Sequence, residues 1–279
     1  MTHASVTPSS YRALVVREAA GGFTRQVETL DPALLPPGEV LIQVRFSALN
    51  YKDALSASGH RGVTRRYPHT PGVDAAGVVE ESSDPNLRPG DQVVVHGYDL
   101  GMNTAGGFGQ MIRVPAAWVV SLPPEMTPFS AMVYGTAGFT AALALQRLID
   151  AGLTAEQGEV LVTGATGGVG SLAVALLAQT GFRCVAATGK LDQTGLLQEL
   201  GAVGVVDRRE LETGGDKALL KQRWAGVIDT VGGPILAHAI KSTQIDGVVA
   251  ACGNAASAEL PLTVYPFILR GVSLLGVDS

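Results

Sequence analysis

From Tyr11 to Ser121 the chain sets short apolar runs between glycine and proline punctuation. Tyr11–Arg17, Glu39–Ala48, Gly77–Glu81, Gln92–His96 and Trp118–Ser121 are rich in Val, Ile or aromatic residues, and Pro36-Pro37-Gly38, Pro71-Gly72, Pro89-Gly90 and Pro123-Pro124 bound them. Branched and aromatic side chains between turn residues predict β-strands. A helix is expected at Thr127–Tyr134. Beyond it the period changes. Apolar strands at Val160–Thr163, Arg183–Ala187, Val203–Val206, Gly226–Thr230, Val248–Cys252 and Ser273–Val277 alternate with helical patterns at Thr140–Ala151, Gly168–Thr180, Gln193–Leu200 and Ile235–Lys241. Such alternation implies right-handed βαβ units on a parallel sheet, and six strands in this order predict a doubly wound α/β domain of the Rossmann type. The expected division is a β-rich front domain, residues 1–133, and a dinucleotide-binding back domain, 134–279. The chain stops at Ser279, directly after the sixth strand, so a truncated C-terminus is expected.

Composition narrows the classes. Of 279 residues, 46% are hydrophobic and 16% charged, enough for a sizeable core and against global disorder. A net charge of -5 argues against a nucleic-acid partner. Cys184 and Cys252 lie in apolar runs and read as buried free thiols. The N-terminus lacks a signal-peptide core, and no run is expected to reach the ~18 uncharged apolar residues that span a bilayer. A soluble cytoplasmic protein is the expectation.

The stretch VLVTGATGGVGSLAVALLAQTGFRCVAATGK (160–190) carries the strongest chemical signal. Gly164, Gly167 and Gly170 form G-x-x-G-x-x-G between a strand and a helix, with Gly168 as an extra. This context suits a tight turn, close backbone approach to a pyrophosphate and tight helix–strand packing, with the helix N-terminus facing the phosphates. The next strand ends in Thr188-Gly189-Lys190, where an NAD site carries an acid for the ribose hydroxyls. A 2′-phosphate suits Thr188, Lys190 and Arg208 instead, so NADPH is the expected cofactor. A solvated loop lysine is the competing account of Lys190, and Arg209 competes with Arg208 for the inward position.

The blocks PGVDAAGVV (71–79), RPGDQVVV (88–95), GGFGQMIRVP (106–115), GTAGFTAALAL (135–145) and GATGGVG (164–170) together resemble the medium-chain dehydrogenase/reductase superfamily over nearly the whole chain. The resemblance implies a GroES-like catalytic domain in front of the Rossmann domain. Zinc alcohol dehydrogenases of that superfamily carry Cys before the first-domain helix and His-Glu after the Pro-Gly. Asn50 and Val73-Asp74 stand there in this chain, and Val73 cannot ligate a metal. The five histidines, His3, His60, His69, His96 and His238, form no ligand pair at helical spacing, so no metal is expected. LNYKDAL (49–55), WAGVIDTVGG (224–233), VAACGNA (249–255) and PFILRGVSLLGVDS (266–279) are similar to the zinc-free quinone oxidoreductase branch, specifically to the YhdH/AcuI-type, NADPH-dependent acryloyl-CoA reductases. Members of that group continue past GVDS. The resemblance implies Tyr51 beside the nicotinamide and Thr166, Gly167, Gly168 and Val169 on the pyrophosphate. It implies Thr188, Gly189, Lys190 and Arg208 on the 2′-phosphate. Asn254, Ile268 and Ser279 would contact the nicotinamide half.

The implied reaction is reduction of the conjugated C=C of a short 2-enoyl-CoA, acryloyl-CoA to propanoyl-CoA. It needs a hydrogen-bond donor for the carbonyl oxygen, where charge develops. Tyr51, Asn50 and Tyr67 are the candidates, with Tyr51 and Asn50 taken as catalytic; a tyrosine packed locally is the competing account of Tyr51. Asp53 is expected to orient Asn50 or cap the following helix. Arg61, Arg65 and Arg66 form a candidate landing patch for CoA, against a plain solvated loop. An NADPH:quinone oxidoreductase and a non-catalytic NADPH-binding redox sensor are the alternatives. A homodimer through Ser273–Val277 is expected.

Overall fold

The computed structural model describes residues 9–212 and 217–279 and divides into two compact units, one ending at Thr136 and one beginning at Ala137. The first eight residues, on which the signal-peptide argument and His3 fall, lie outside the described residues.

In the first unit, β1 (Tyr11–Ala19) and β2 (Gly22–Leu30) form an antiparallel hairpin in continuous register. Tyr11, Ala13 and Val15 alternate into the core from β1. No position of β2 is buried, so the apolar alternation that marks a strand is absent from it. After β3 (Val40–Phe46) comes the short helix α1 (Tyr51–Ala57), followed by β4 (Asp74–Ser82), β5 (Gln92–His96), β6 (Met111–Val114) and β7 (Val120–Ser121). The last five strands form one antiparallel sheet in the order β6-β3-β4-β5-β7. Val40, Ile42, Ala75, Val79, Val93, Val95, Ile112 and Val114 fill its core.

The two helices expected on either side of residue 135 are continuous as α2 (Pro128–Asp150), broken only at Gly135, where φ is 50° and ψ -156°. No charged residue occurs from Met126 to Gln146, and α2 is long and apolar enough to cross a membrane, which corrects the expectation that no run is. Half of its apolar window is nevertheless buried in protein. Ala141, Ala144 and Leu148 are fully buried core residues of the second unit, so core packing accounts for the apolar run.

The second unit then alternates β8 (Glu159–Thr163), α3 (Gly168–Gln179), β9 (Arg183–Thr188), α4 (Thr194–Glu199), β10 (Gly204–Asp207), β11 (Trp224–Asp229), α5 (Gly233–Lys241), β12 (Thr243–Ala251), α6 (Tyr265–Arg270) and β13 (Ser273–Gly276). Its six strands are parallel in the order β10-β9-β8-β11-β12-β13. This is the doubly wound arrangement, in which the strand order reverses between β8 and β11. The central strands are buried on both faces, as the near-continuous apolar runs VLV and WAGVI require. Helix α6 was not legible in PFILR; Arg270 at its end donates to the carbonyls of Leu220, Lys241 and Thr243, which fixes the turn before β13.

Two glycines of the β8–α3 turn are sterically required. Gly164 has φ +61°, and a side chain there would collide with the Thr230 hydroxyl. A methyl group on Gly170 would strike the Gly164 carbonyl oxygen. Gly195 on α4, by contrast, faces open space. Gly170→Ala is therefore expected to cost about 1–3 kcal/mol and lower the melting temperature by several degrees. Gly195→Ala should be neutral or stabilising by up to about 1 kcal/mol. Scanning calorimetry of both variants checks the contrast, and equal melting temperatures would overturn it.

Candidate functional site

A cavity of about 740 Å³ opens at the carboxyl ends of β8, β9 and β11, beside the point of strand reversal. Asp229, at the end of β11, is fully buried. Its Oδ1 accepts from Thr163 Oγ1 at 2.6 Å, and its Oδ2 accepts from Gly232 N at 2.8 Å and Val231 N at 3.2 Å. Thr230 closes the link, donating from N to Thr163 Oγ1 (3.1 Å) and from Oγ1 to Thr163 O (2.9 Å). These bonds fasten the ends of the two central strands together. Burial raises the Asp229 carboxyl above the ordinary Asp range, and the three donors only partly oppose that shift. Burial also pushes the Cys184 and Cys252 thiols up to about 12; Cys252, only partly buried, donates Sγ–H to Asp229 O at 3.2 Å.

The glycine turn forms one wall. Gly164 and Gly167 line the cavity, and Ala165 N donates to Ala187 O (3.0 Å), which ties the turn to β9. Gly168 and Val169 open α3, where the first N–H groups of a helix have no intrahelical acceptor. Glycine at 164, 167 and 168 leaves the backbone at those positions without a side chain over it, open to a ligand.

Thr166, Thr188, Gly189, Lys190 and Arg208 line the far side. Thr166 Oγ1 and Thr188 Oγ1 share a hydrogen bond at 3.0 Å, and Lys190 N donates to Thr188 Oγ1 at 3.0 Å. The two adjacent arginines separate clearly. Arg209 folds back on Asp207, with Nε at 2.9 Å from Oδ2. Arg208 lies over Gly189, close enough that a methyl group there would stand 2.9 Å from its Cδ and Nε. Glu212 reaches Arg208 at 3.8 Å, an exposed pair of little strength. Of the other expected residues, Asn254 precedes the lining residues Ala255 and Ala256. Ile268 is exposed on α6, and Ser279 Oγ bonds Thr140 Oγ1 at 2.5 Å; neither lines this cavity. The motif reading missed Thr163 and Asp229 as partners, because a hydroxyl and a carboxylate 66 residues apart leave no spacing signal.

In the first unit, Asn50 precedes α1 and is held from two sides. Its N–H donates to Asp53 Oδ2 (2.7 Å) and its Nδ2 to Asp74 Oδ2 (2.7 Å). Asp53 also accepts from Gly72 N and Val73 N, so it both caps α1 and secures the loop before β4. Burial raises its carboxyl, against those backbone donors, and the neighbouring Asp74 adds to the rise. Asp74 accepts from Thr136 N (2.9 Å) and Thr136 Oγ1 (2.7 Å) as well. Tyr51 opens α1 and is 61% exposed, and its hydroxyl has no partner among the described residues. Tyr67 differs: its hydroxyl donates to Ser56 O at 2.6 Å, which removes it as a substrate donor. Arg61 also departs from its expected role. It grips Glu18 at 2.7 Å, donates to Arg65 O and stacks over Phe23 and Tyr67, so it braces its own loop.

Residues 36–124 match the alcohol dehydrogenase GroES-like domain family, and residues 168–279 match the zinc-binding dehydrogenase family. The acrylyl-CoA reductase AcuI of Ruegeria pomeroyi is 46% identical over 271 residues, 96% of this chain and 82% of that protein. YhfP of Bacillus subtilis, provisionally named a quinone oxidoreductase, is 46% identical over 269 residues with the same coverage, and its crystal structure with NAD bound superposes with a TM-score of 0.93 over 98% of this chain and 83% of that one. The crystal structure of Escherichia coli YhdH with bound NADPH gives a TM-score of 0.93 at 45% identity, over 96% and 82%. The zinc in the second family's name finds no ligand set at the positions compared. Val73 is a buried aliphatic side chain, and the Asn50 amide and Asp74 carboxylate are spent on each other and on Thr136. The residues do not fit a zinc ion.

Because the folded-state carboxyl of Asp229 is raised, its stabilising share is fully present below the unfolded Asp value of about 3.9 and is lost as pH rises through the folded value. Asp229→Asn turns one acceptor into a donor within this set of donors and is expected to destabilise the chain. The advantage of wild type over the variant should shrink as pH rises. Urea denaturation of both proteins between about pH 4 and 8 tests this; a difference that grows with pH would contradict it.

Proposed function

The chain belongs to the medium-chain dehydrogenase/reductase superfamily, in its quinone oxidoreductase-type branch, and from that premise we propose that it is an NADPH-dependent, zinc-independent reductase of short 2-enoyl-CoA thioesters. The observation that supports the cofactor half is the end of β9, where Lys190 and Arg208 line the cavity and Gly189-Lys190, rather than an acid, directly follow Thr188; Asp192 comes only beyond them, and Glu212, also in the lining, faces Arg208. The substrate half is supported by the similarity to AcuI.

Bound in this cavity, NADPH supplies a hydride for the β-carbon of the conjugated alkene. Lys190, Arg208 and the Thr188 hydroxyl hold the 2′-phosphate through charge-assisted hydrogen bonds. The N–H groups of Gly168 and Val169 at the start of α3 receive the pyrophosphate, and the glycines of the turn let it approach. Asn254, Ile268 and Ser279 are assigned to the nicotinamide half. On the first unit, Tyr51 Oη is the free donor assigned to the thioester carbonyl, where negative charge develops as the hydride arrives. Asn50 keeps one Nδ2 proton for the same oxygen while its other is committed to Asp74. The α-carbon takes its proton from solvent. Quinone reduction is a second reading, favoured by the similarity to YhfP; it needs the same cofactor site and no carbonyl-directed donor.

Stopped-flow absorbance at the NADPH band tests the reading. Acryloyl-CoA should discharge NADPH, and Tyr51→Phe should lower kcat by about tenfold or more with little change in KM for NADPH. Quinone turnover without enoyl-CoA turnover would select the second reading; discharge by neither substrate would overturn both.

A further inference from the structure

Apart from the nucleotide cavity, the first unit carries a groove of about 310 Å³ along β1 and the end of β3. Arg12, Arg45, Phe46 and Phe108 line it, and no acidic side chain does. Gln110 sets the two arginines near each other. Its N–H donates to Arg12 O (2.9 Å), its Oε1 accepts from Arg12 N (2.8 Å), and its carbonyl accepts from Val44 N (2.9 Å). Arg12 and Arg45 therefore stand on strands flanking one shared residue, within about two strand spacings or ~10 Å.

Both side chains are exposed, and neither guanidinium has a hydrogen bond or ion pair among the described residues. This sets them apart from Arg17 on Glu28, Arg61 on Glu18, Arg209 on Asp207 and Arg270 on backbone carbonyls. Two unpaired guanidinium forks in an acid-free groove repel each other and match the geometry of phosphate oxygens. Phe46, 44% exposed, adds aromatic surface on which a nucleobase can stack. The groove is linked to the start of α1: its lining residue Ser47 donates to Asp74 O (2.6 Å), and Asp74 accepts from the amide of Asn50, the neighbour of Tyr51.

Building on the reading of a CoA thioester as substrate, we infer that this groove holds the phosphorylated nucleotide end of CoA. Arg12 and Arg45 engage its phosphates, and the pantetheine arm runs from them toward Tyr51. In the Arg61 loop, the other basic patch of this unit, Arg61 is engaged on Glu18 while Arg65 and Arg66 are exposed; the groove differs in pairing its two guanidinium groups with an exposed aromatic ring.

The test uses the NADPH-saturated protein, so that the nucleotide cavity of the second unit is filled, and the double variant Arg12→Gln/Arg45→Gln. Adenosine 3′,5′-bisphosphate is the probe in calorimetric titration. Wild type should bind it, and the variant should bind it about tenfold or more weakly, with an unchanged circular dichroism spectrum and melting temperature. In turnover, the ratio of kcat/KM for acryloyl-CoA over acryloyl-pantetheine, which lacks the phosphates, should fall by about tenfold in the variant. Equal probe binding by wild type and variant, no binding by wild type, or an unaltered ratio would overturn the inference. Loss of all enoyl thioester turnover in wild type would instead sink the proposed function, and the titration would still decide whether the groove takes the phosphates.

Discussion

The second unit depends on a buried carboxyl group that is held by hydrogen bonds, with no cation paired to it among the described residues. Asp229 sits fully buried at the end of β11 and is satisfied by one hydroxyl and two backbone N–H groups. Burying such a group is costly unless its acceptors are filled, and Thr163, Val231 and Gly232 fill them. In return, the ends of β8 and β11 are locked where their following segments leave toward opposite faces of the sheet. The space between those segments is the cavity. The glycine-rich turn starting at Gly164 leaves from this clamp, Thr230 is bonded back to Thr163, and Thr166 of the turn reaches Thr188 at the end of β9, beside which Lys190 and Arg208 stand.

The first unit uses the same device with different residues. Asp53 and Asp74 are buried carboxylates that accept from backbone N–H groups, a hydroxyl and the Asn50 amide. A zinc enzyme of this fold would need metal ligands at the positions of Asn50 and Val73-Asp74. Here an amide and a carboxylate neutralise each other's hydrogen-bonding demand, and the loop is held without a metal. Of the two tyrosines weighed as donors, Tyr67 has its hydroxyl committed to Ser56 O, whereas that of Tyr51 has no partner among the described residues.

The architecture was largely legible in the sequence because its signals are local. Glycine spacing, the alternation of strands with helices and the proline-glycine punctuation each act over a few residues, and they place β8, α3, β9 and the turn between them. Strand β2 escaped because it buries nothing, and α6 because six residues carry too short a period to read. The site was legible in part. Thr188, Lys190 and Arg208 follow from strand ends, yet only the structure separates Arg208, lying over Gly189, from Arg209, tied to Asp207. Arg61 read as a free cation because its partner Glu18 is 43 residues away. The length of the apolar stretch in α2 escaped because the sequence reads as two short helices on either side of Gly135, whereas the structure continues them as one.

The central claim is that this cavity is built for a dinucleotide with an extra ribose phosphate. Competitive fluorescence titration of NADPH and NADH, on wild type and on Lys190→Ala/Arg208→Ala, measures it most directly. The account predicts that wild type binds NADPH at least about tenfold more tightly and that the double variant loses most of that preference while keeping its affinity for NADH. Equal or tighter binding of NADH by wild type would contradict it.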